Sequence, residues 1–178
     1  MESSRMMERA RHQTTLPFTR YLAGPADYTT MIFSERKRNT TCAHQIATMV
    51  VFSSPLLTIA AHPDSILKNP AVDVIKSIPS VWDETIVLPD SRIGELVLYA
   101  RRTGKIWYLA AMNGGNERSL SVPLTFLGEN SYVTTIVRDD TTAPCGETVE
   151  QSTMKRGSIL TIQMQEGGGF VARFAVSN

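Results

Sequence analysis

The stretch LPFTRYLAGPADYT, residues 16–29, sets a guanidinium (Arg20), a carboxylate (Asp27) and a phenol (Tyr28) among Pro17, Phe18, Leu22 and the Gly24-Pro25 pair. These prolines and the glycine exclude a continuous helix, and an ordinary surface loop would carry more charge and fewer large apolar groups. The backbone here is shaped around something. On residue chemistry alone two readings stand. In one, Arg20, Asp27 and Tyr28 line a binding site. In the other, Phe18, Leu22 and Tyr28 belong to the core, and Arg20 and Asp27 form an ion pair that supports the loop, since one pair of charges defines no reaction.

Other groups with chemical potential are more dispersed. His12, His44 and His62 lack metal-ligand spacing, which argues against a zinc site; His44 reads as a polar-face residue or the partner of a neighbour, and His12 adjoins the site-like stretch. Ser65 and Lys68 match S-x-x-K only in form, because the accompanying Ser-Asp-Asn element is missing and Arg102-Thr103-Gly104 sits in a hairpin. Gly167-Gly168-Gly169 lacks the lysine and following helix of a phosphate loop and reads as a turn. Trp107 lies in an alternating strand, and Trp82 beside Asp83 is placed to pack a junction. The two cysteines, Cys42 and Cys145, fit neither a paired-ligand motif nor a disulfide framework.

The elements that must position these groups change character near residue 83. Before it, Asn39-Thr40-Thr41 caps CAHQIATMVVF, where Ile46, Met49 and Val50 recur at helical spacing until Pro55. A second helix starts at Asn69-Pro70 and runs to Ile78. Between them the apolar run PLLTIAAHP, residues 55–63, reads as a strand buried on both faces. Helix, buried strand and helix form a parallel α/β unit, too small to close a sheet by itself. After residue 83 the pattern is strand: 94–100 and 106–112 as a hairpin, then 120–126, 132–138, 159–164 and 170–176. Leu160, Ile162 and Met164 alternate with Thr161 and Gln163, as when one strand face meets a core. The fold class is therefore α/β plus all-β, with an antiparallel β-sandwich in the second part.

With 178 residues, 42% apolar content and a net charge of +1, the chain can bury a core but offers no electrostatic attraction for nucleic acid or an anionic membrane. Apolar runs stay below the roughly 18 residues of a membrane span, and residues 1–11 lack the apolar core of a signal peptide.

LPFTRYLAGPADYT, NTTCAHQIATMVVFSSPLLTIAAHP, IPSVWDETIVLPDSRIGELVLYARRTGKIWYLAAMNG and GGGFVARF, in this order, resemble the carboxy-terminal part of glycoside hydrolase family 97. The resemblance runs from about His12 to the end. It implies the last part of a catalytic (β/α)8 barrel in residues 1–82, followed by a carboxy-terminal β-sandwich domain in 83–178. It also implies hydrolysis of α-glucosides or α-galactosides, α-linked oligosaccharides as partners, calcium in the site, and a periplasmic or secreted location. In such a barrel the segments after the strands build the catalytic face, so the resemblance implies that His12, Arg20 and Asp27 contribute to substrate binding.

Glycoside hydrolysis needs a pair of carboxyl groups, and no catalytic or metal-binding residue is assignable here. Where the family has a glutamate before the histidine equivalent to His12, this chain has Arg11, a cation that would oppose calcium and cannot donate a proton near neutral pH. Glu2 and Glu8 are weak substitutes. The expected chain is thus a truncated piece, inactive without upstream barrel sequence, with residues 1–38 loosely ordered. The alternative is a noncatalytic β-sandwich module for packing, oligomerisation or carbohydrate binding.

Overall fold

The computed structural model describes residues 2–140, 142 and 147–177, and the side chains from residue 9 onward. Helix α1 (Glu2–Thr15) leads into two short 3-10 turns, Leu16–Phe18 and Arg20–Ala23, whose brevity follows from Pro17 and Gly24. Helix α2 (Cys42–Val51) is capped by Thr41, whose hydroxyl accepts from the His44 amide. Two short helices follow, α3 (Pro63–Leu67) and α4 (Val72–Ser77). Asn69 prepares the second, its Oδ1 accepting from the Ala71 amide at 2.7 Å.

Eight strands complete the chain: β1 (Glu84–Val87), β2 (Leu96–Thr103), β3 (Ile106–Asn113), β4 (Arg118–Pro123), β5 (Tyr132–Asp139), β6 (Glu147–Met154), β7 (Ile159–Met164) and β8 (Gly169–Val176). Six form one antiparallel sheet in the order β1-β2-β3-β8-β5-β6, and β4 pairs with β7 in a second. β2 and β3 meet with Thr103 opposite Ile106, so Gly104 and Lys105 form the whole turn, and Gly104 supplies the positive φ that it needs.

The large sheet is covered on both faces. Leu98, Trp107, Leu109, Ile136, Phe170 and Phe174 face Val122, Leu160, Ile162 and Met164 of the small sheet. Val97, Tyr99, Tyr108, Met112, Val137 and Val171 face Ile46, Ala47 and Val50 of α2. Alternate residues of each strand serve the two cores, which is why β2 and β3 are buried almost throughout while β7 is buried at every second position.

Three expectations are corrected. Residues 55–63 do not form a buried strand: Leu56 is 84% exposed and Ile59 38%, and the run makes one parallel bridge, Thr30 with Ile59. That bridge and the Ala26 amide bond to the Ser53 carbonyl give a minimal parallel pair around α2, whose outer side has no neighbouring strand among the described residues. Residues 9–31 are not loosely attached, because Ala10, Gln13, Thr14, Thr30 and Met31 are fully buried. Cys42 is disulfide-bonded, which corrects the expectation that the cysteines fit no disulfide framework. The sequence reading also missed α3, β1 and β6, and placed β4 two to three residues late.

Candidate functional site

The 16–29 stretch is built around the ring of Phe52, the residue that ends α2. Tyr21 stacks on it at 5.0 Å, and Tyr28 meets it edge-on at 4.6 Å. Phe18 packs edge-on against Tyr99 of the sheet at 5.9 Å. From the other side, buried Gln13 of α1 donates to the Tyr28 hydroxyl at 3.1 Å, and its carbonyl oxygen accepts from Gln45 of α2. Gln45 in turn accepts from the Ile32 amide, while Thr48 accepts from the Met31 amide. Polar side chains of α2 therefore satisfy a backbone that has left regular structure, and this explains why they are buried. Met31 sits there at φ 52°, a strained value for a non-glycine residue, held by these bonds and complete burial.

The structure places the sequence-predicted residues on the exposed rim of this cluster. The Arg20 guanidinium reaches back to the carbonyls of Gly24 and Pro25 at 3.4 and 3.5 Å. Asp27 is exposed, and no ion pair joins it to Arg20 among the described residues. Both charges lie close enough to act on Tyr21, whose phenol is pushed up to about 12, chiefly by burial and then by Tyr28, with Arg20 opposing. The supporting-ion-pair reading is thus corrected, as is Leu22 in the core, since it is 77% exposed. His12 is exposed in the last turn of α1, on a different face from buried Gln13, and is not brought to Tyr21. Arg11 is exposed and packs along Gly94, and the Glu2 and Glu8 side chains lie outside the described residues.

A buried carboxylate, Glu147, and a half-buried one, Asp139, stand elsewhere, on paired strands at the end of the sheet. Asp139 accepts from the Thr41 hydroxyl at 2.6 Å and from the Gln165 and Gly169 amides, and burial raises its pKa against these bonds. Glu147 is bound by Asn69 at 2.5 Å and pushed up to about 7, chiefly by burial. A raised carboxyl beside a second one has the acid–base form. Here, however, Glu147 is 1% exposed, and both groups spend their bonds holding α2 and residue 69 to the sheet. Asp139 also borders a cleft of about 540 Å³ with Glu117, Arg118 and Asp140. His44 is wholly buried, not on a polar face; its Nδ1–H donates to the Gly168 carbonyl, and burial lowers its pKa to about 4. Trp82 packs the junction edge-on against Tyr108 at 5.3 Å, and Trp107 lies in the core.

Among the described residues no three His, Cys, Asp or Glu side chains come together to hold a metal, so these residues offer calcium no carboxylate donor set. Among the described residues no helix is long and apolar enough to cross a membrane.

Sequence reasoning missed Phe52, Gln13 and Arg101. Arg101 shares strand parity with Val97 and Tyr99, which assigns it to the helix-covered face, but it lies just past residues 94–100, where the sequence pattern ends the strand that the structure extends to Thr103.

The described residues form a six-on-two antiparallel sandwich that carries a short helix-and-strand fragment with an exposed polar loop. Residues 81–175 match the family model described as glycosyl-hydrolase 97 C-terminal, oligomerisation. A retaining alpha-galactosidase of Bacteroides thetaiotaomicron is 32% identical over 187 aligned positions, covering 96% of this chain and 28% of its own length. A glycoside hydrolase family 97 enzyme from Pseudoalteromonas sp. strain K8, solved with acarbose and, as a variant, with panose, superimposes with a TM-score of 0.84 at 30% identity, over 95% of this chain and 29% of that one. A beta-arabinopyranosidase follows at 0.81 and 26%, over 94% and 28%. The chain belongs to glycoside hydrolase family 97, as a carboxy-terminal portion, and spans a little over a quarter of the length of the relatives it matches.

Proposed function

We propose that this chain completes an α-glycosidase acting on α-galactosides or α-glucosides, with residues 1–82 as the end of its (β/α)8 barrel and the 16–29 loop as part of the sugar pocket. One observation carries the reading. The loop is rigidly supported from beneath by Phe52, Gln13 and Gln45, while Arg20 and Asp27 stand exposed above it, beside a parallel strand pair with an open side. A structural ion-pair loop would have turned those charges toward each other. The α-galactoside arm is supported by the activity named for the Bacteroides relative, and the α-glucoside arm by the acarbose and panose complexes. His12 is the weakest member of the proposed pocket. The carboxyl pair and the calcium ligands are supplied by barrel sequence upstream. A periplasmic or secreted location fits the disulfide at Cys42.

In a protein carrying upstream barrel sequence, Arg20→Ala and Asp27→Ala should each lower kcat/KM for an aryl α-galactoside or α-glucoside by at least about tenfold, the scale of one lost charged hydrogen bond. Unchanged kinetics in both would refute the pocket assignment. The second reading, subunit assembly through the β domain, is favoured by the oligomerisation named for the matching family model and by exposed Val87, Ile93, Val133 and Ile159. Sedimentation of the chain at rising concentration tests it, and a strict monomer would count against it.

A further inference from the structure

Arg101 is 6% exposed, yet no carboxylate pairs with it among the described residues. Its planar fork instead finds four neutral acceptors. Nη1 donates to the carbonyls of Val50 (2.7 Å) and Val51 (3.3 Å), Nη2 to the Ser53 hydroxyl (2.5 Å), and Nε to the Thr85 hydroxyl (2.9 Å). Trp82 lies under the guanidinium at 5.1 Å. Burial lowers the pKa to about 10, which leaves the group charged at neutral pH. The cation sits against the last carbonyls of α2, where the helix dipole is negative and those oxygens have no intrahelical donor. This arrangement compensates a buried charge without an anion, and only a guanidinium spans all four acceptors.

The residues that Arg101 holds, 50, 51 and 53, flank Phe52. The Phe52 ring carries Tyr21 and Tyr28, the neighbours of Arg20 and Asp27, and the Ser53 carbonyl accepts from the Ala26 amide at 3.2 Å. A continuous path therefore runs from the third residue before the β2–β3 turn to the exposed loop.

We propose that Arg101 of the β domain is a positioning residue for the 16–29 loop, fixing the end of α2 and Ser53 so that Arg20 and Asp27 are presented in one geometry. The mechanical part stands on the contacts alone; its catalytic meaning rests on the sugar-pocket reading above. It assigns the β domain a part in the active site that it does not touch.

The test uses the 178-residue chain and its Arg101→Met and Arg101→Lys variants, followed by amide exchange and by ultraviolet titration of Tyr21, identified by difference against Tyr21→Phe. In Arg101→Met the Ala26 amide should exchange at least about tenfold faster and the Tyr21 phenol, raised by burial in the parent, should titrate at lower pH than in the parent, with β8 amides such as Ala172 changed less than about twofold. Arg101→Lys keeps the charge and loses the fork, so it should restore less than half of the effect. Unchanged Ala26 exchange and Tyr21 titration in Arg101→Met would overturn the proposal, and so would equal acceleration at Ala26 and Ala172, which would mark plain destabilisation. Should Arg101→Met fail to fold, Ser53→Ala should still accelerate Ala26 by about threefold while Thr85→Val does not; equal behaviour of those two would overturn it. The two readings fail separately: an inert loop shows in the Arg20→Ala and Asp27→Ala kinetics, and an absent strut shows in Ala26 exchange.

Discussion

β7 and α2 cover opposite faces of the same six-stranded sheet, and they do so with different chemistry. Leu160, Ile162 and Met164 of β7 meet an apolar face, and polar groups stay on its outer side. On the α2 side the apolar core is threaded with polar anchors: Arg101 to the end of the helix, Asp139 to Thr41 at its start, His44 to Gly168, and Glu147 to Asn69. Apolar burial alone is tolerant of sliding, whereas hydrogen bonds with unsatisfiable alternatives fix one placement. The side that carries the loop is the side that is fixed. The helical segment is thus joined to the sheet by directed bonds as well as by a shared apolar core.

The largest effect should come from breaking the shared core. Ile46→Ala removes a fully buried side chain from the sheet-facing side of α2 and should cost about 2–5 kcal/mol, expressed in a single cooperative unfolding transition. A cost below about 1 kcal/mol, or a separate early transition for residues 9–82, would show that the segment rides on the sheet without sharing its stability.

A smaller effect should appear as a change in pH dependence. Glu147 has its pKa raised from 4.5 to about 7 in the fold, so the native state keeps a proton that the unfolded chain has released across that window. Its contribution to stability is therefore highest below about pH 4.5, falls as pH rises, and levels off above about 7. Asp139, also raised by burial, acts in the same direction, while His44, lowered to about 4, acts in the opposite one, because the unfolded chain takes up its proton first as pH falls below about 6.5. Glu147→Gln keeps an acceptor for Asn69 and removes the charge. Urea unfolding should find it more stable than the parent at pH 7.5, by on the order of 2–3 kcal/mol from the size of the shift, and nearly equal at pH 4.5. A variant less stable at pH 7.5 would mean that the carboxylate is ionised and satisfied in the fold.

The same contrast explains what the sequence made legible. β7 was readable to the residue because one wet face imposes strict alternation, and α2 was readable from its cap and spacing. β6, ETVEQSTM, is an edge strand with few apolar side chains, held by pairing with β5, and pairing leaves no trace in composition. The run 55–63 is apolar but exposed, because apolarity records a burial that the described residues do not provide. At the site, Arg20 and Asp27 were visible as charges in an unusual loop. The supports were not, since Gln13, Gln45, Phe52 and Arg101 act across separations of 13 to 51 residues that a linear pattern cannot show.

In the proposed reading this chain is one part of a sugar site whose acid–base carboxyls belong to barrel sequence preceding it. The direct measurement is turnover of aryl α-galactoside and aryl α-glucoside by the purified 178-residue chain with calcium present, beside the same chain joined to upstream barrel sequence and a version of that with Arg11→Glu. No hydrolysis above background is expected from the chain alone, and activity is expected in at least one of the joined forms. Hydrolysis by the 178 residues themselves would contradict it and would place a complete carboxyl pair within this chain.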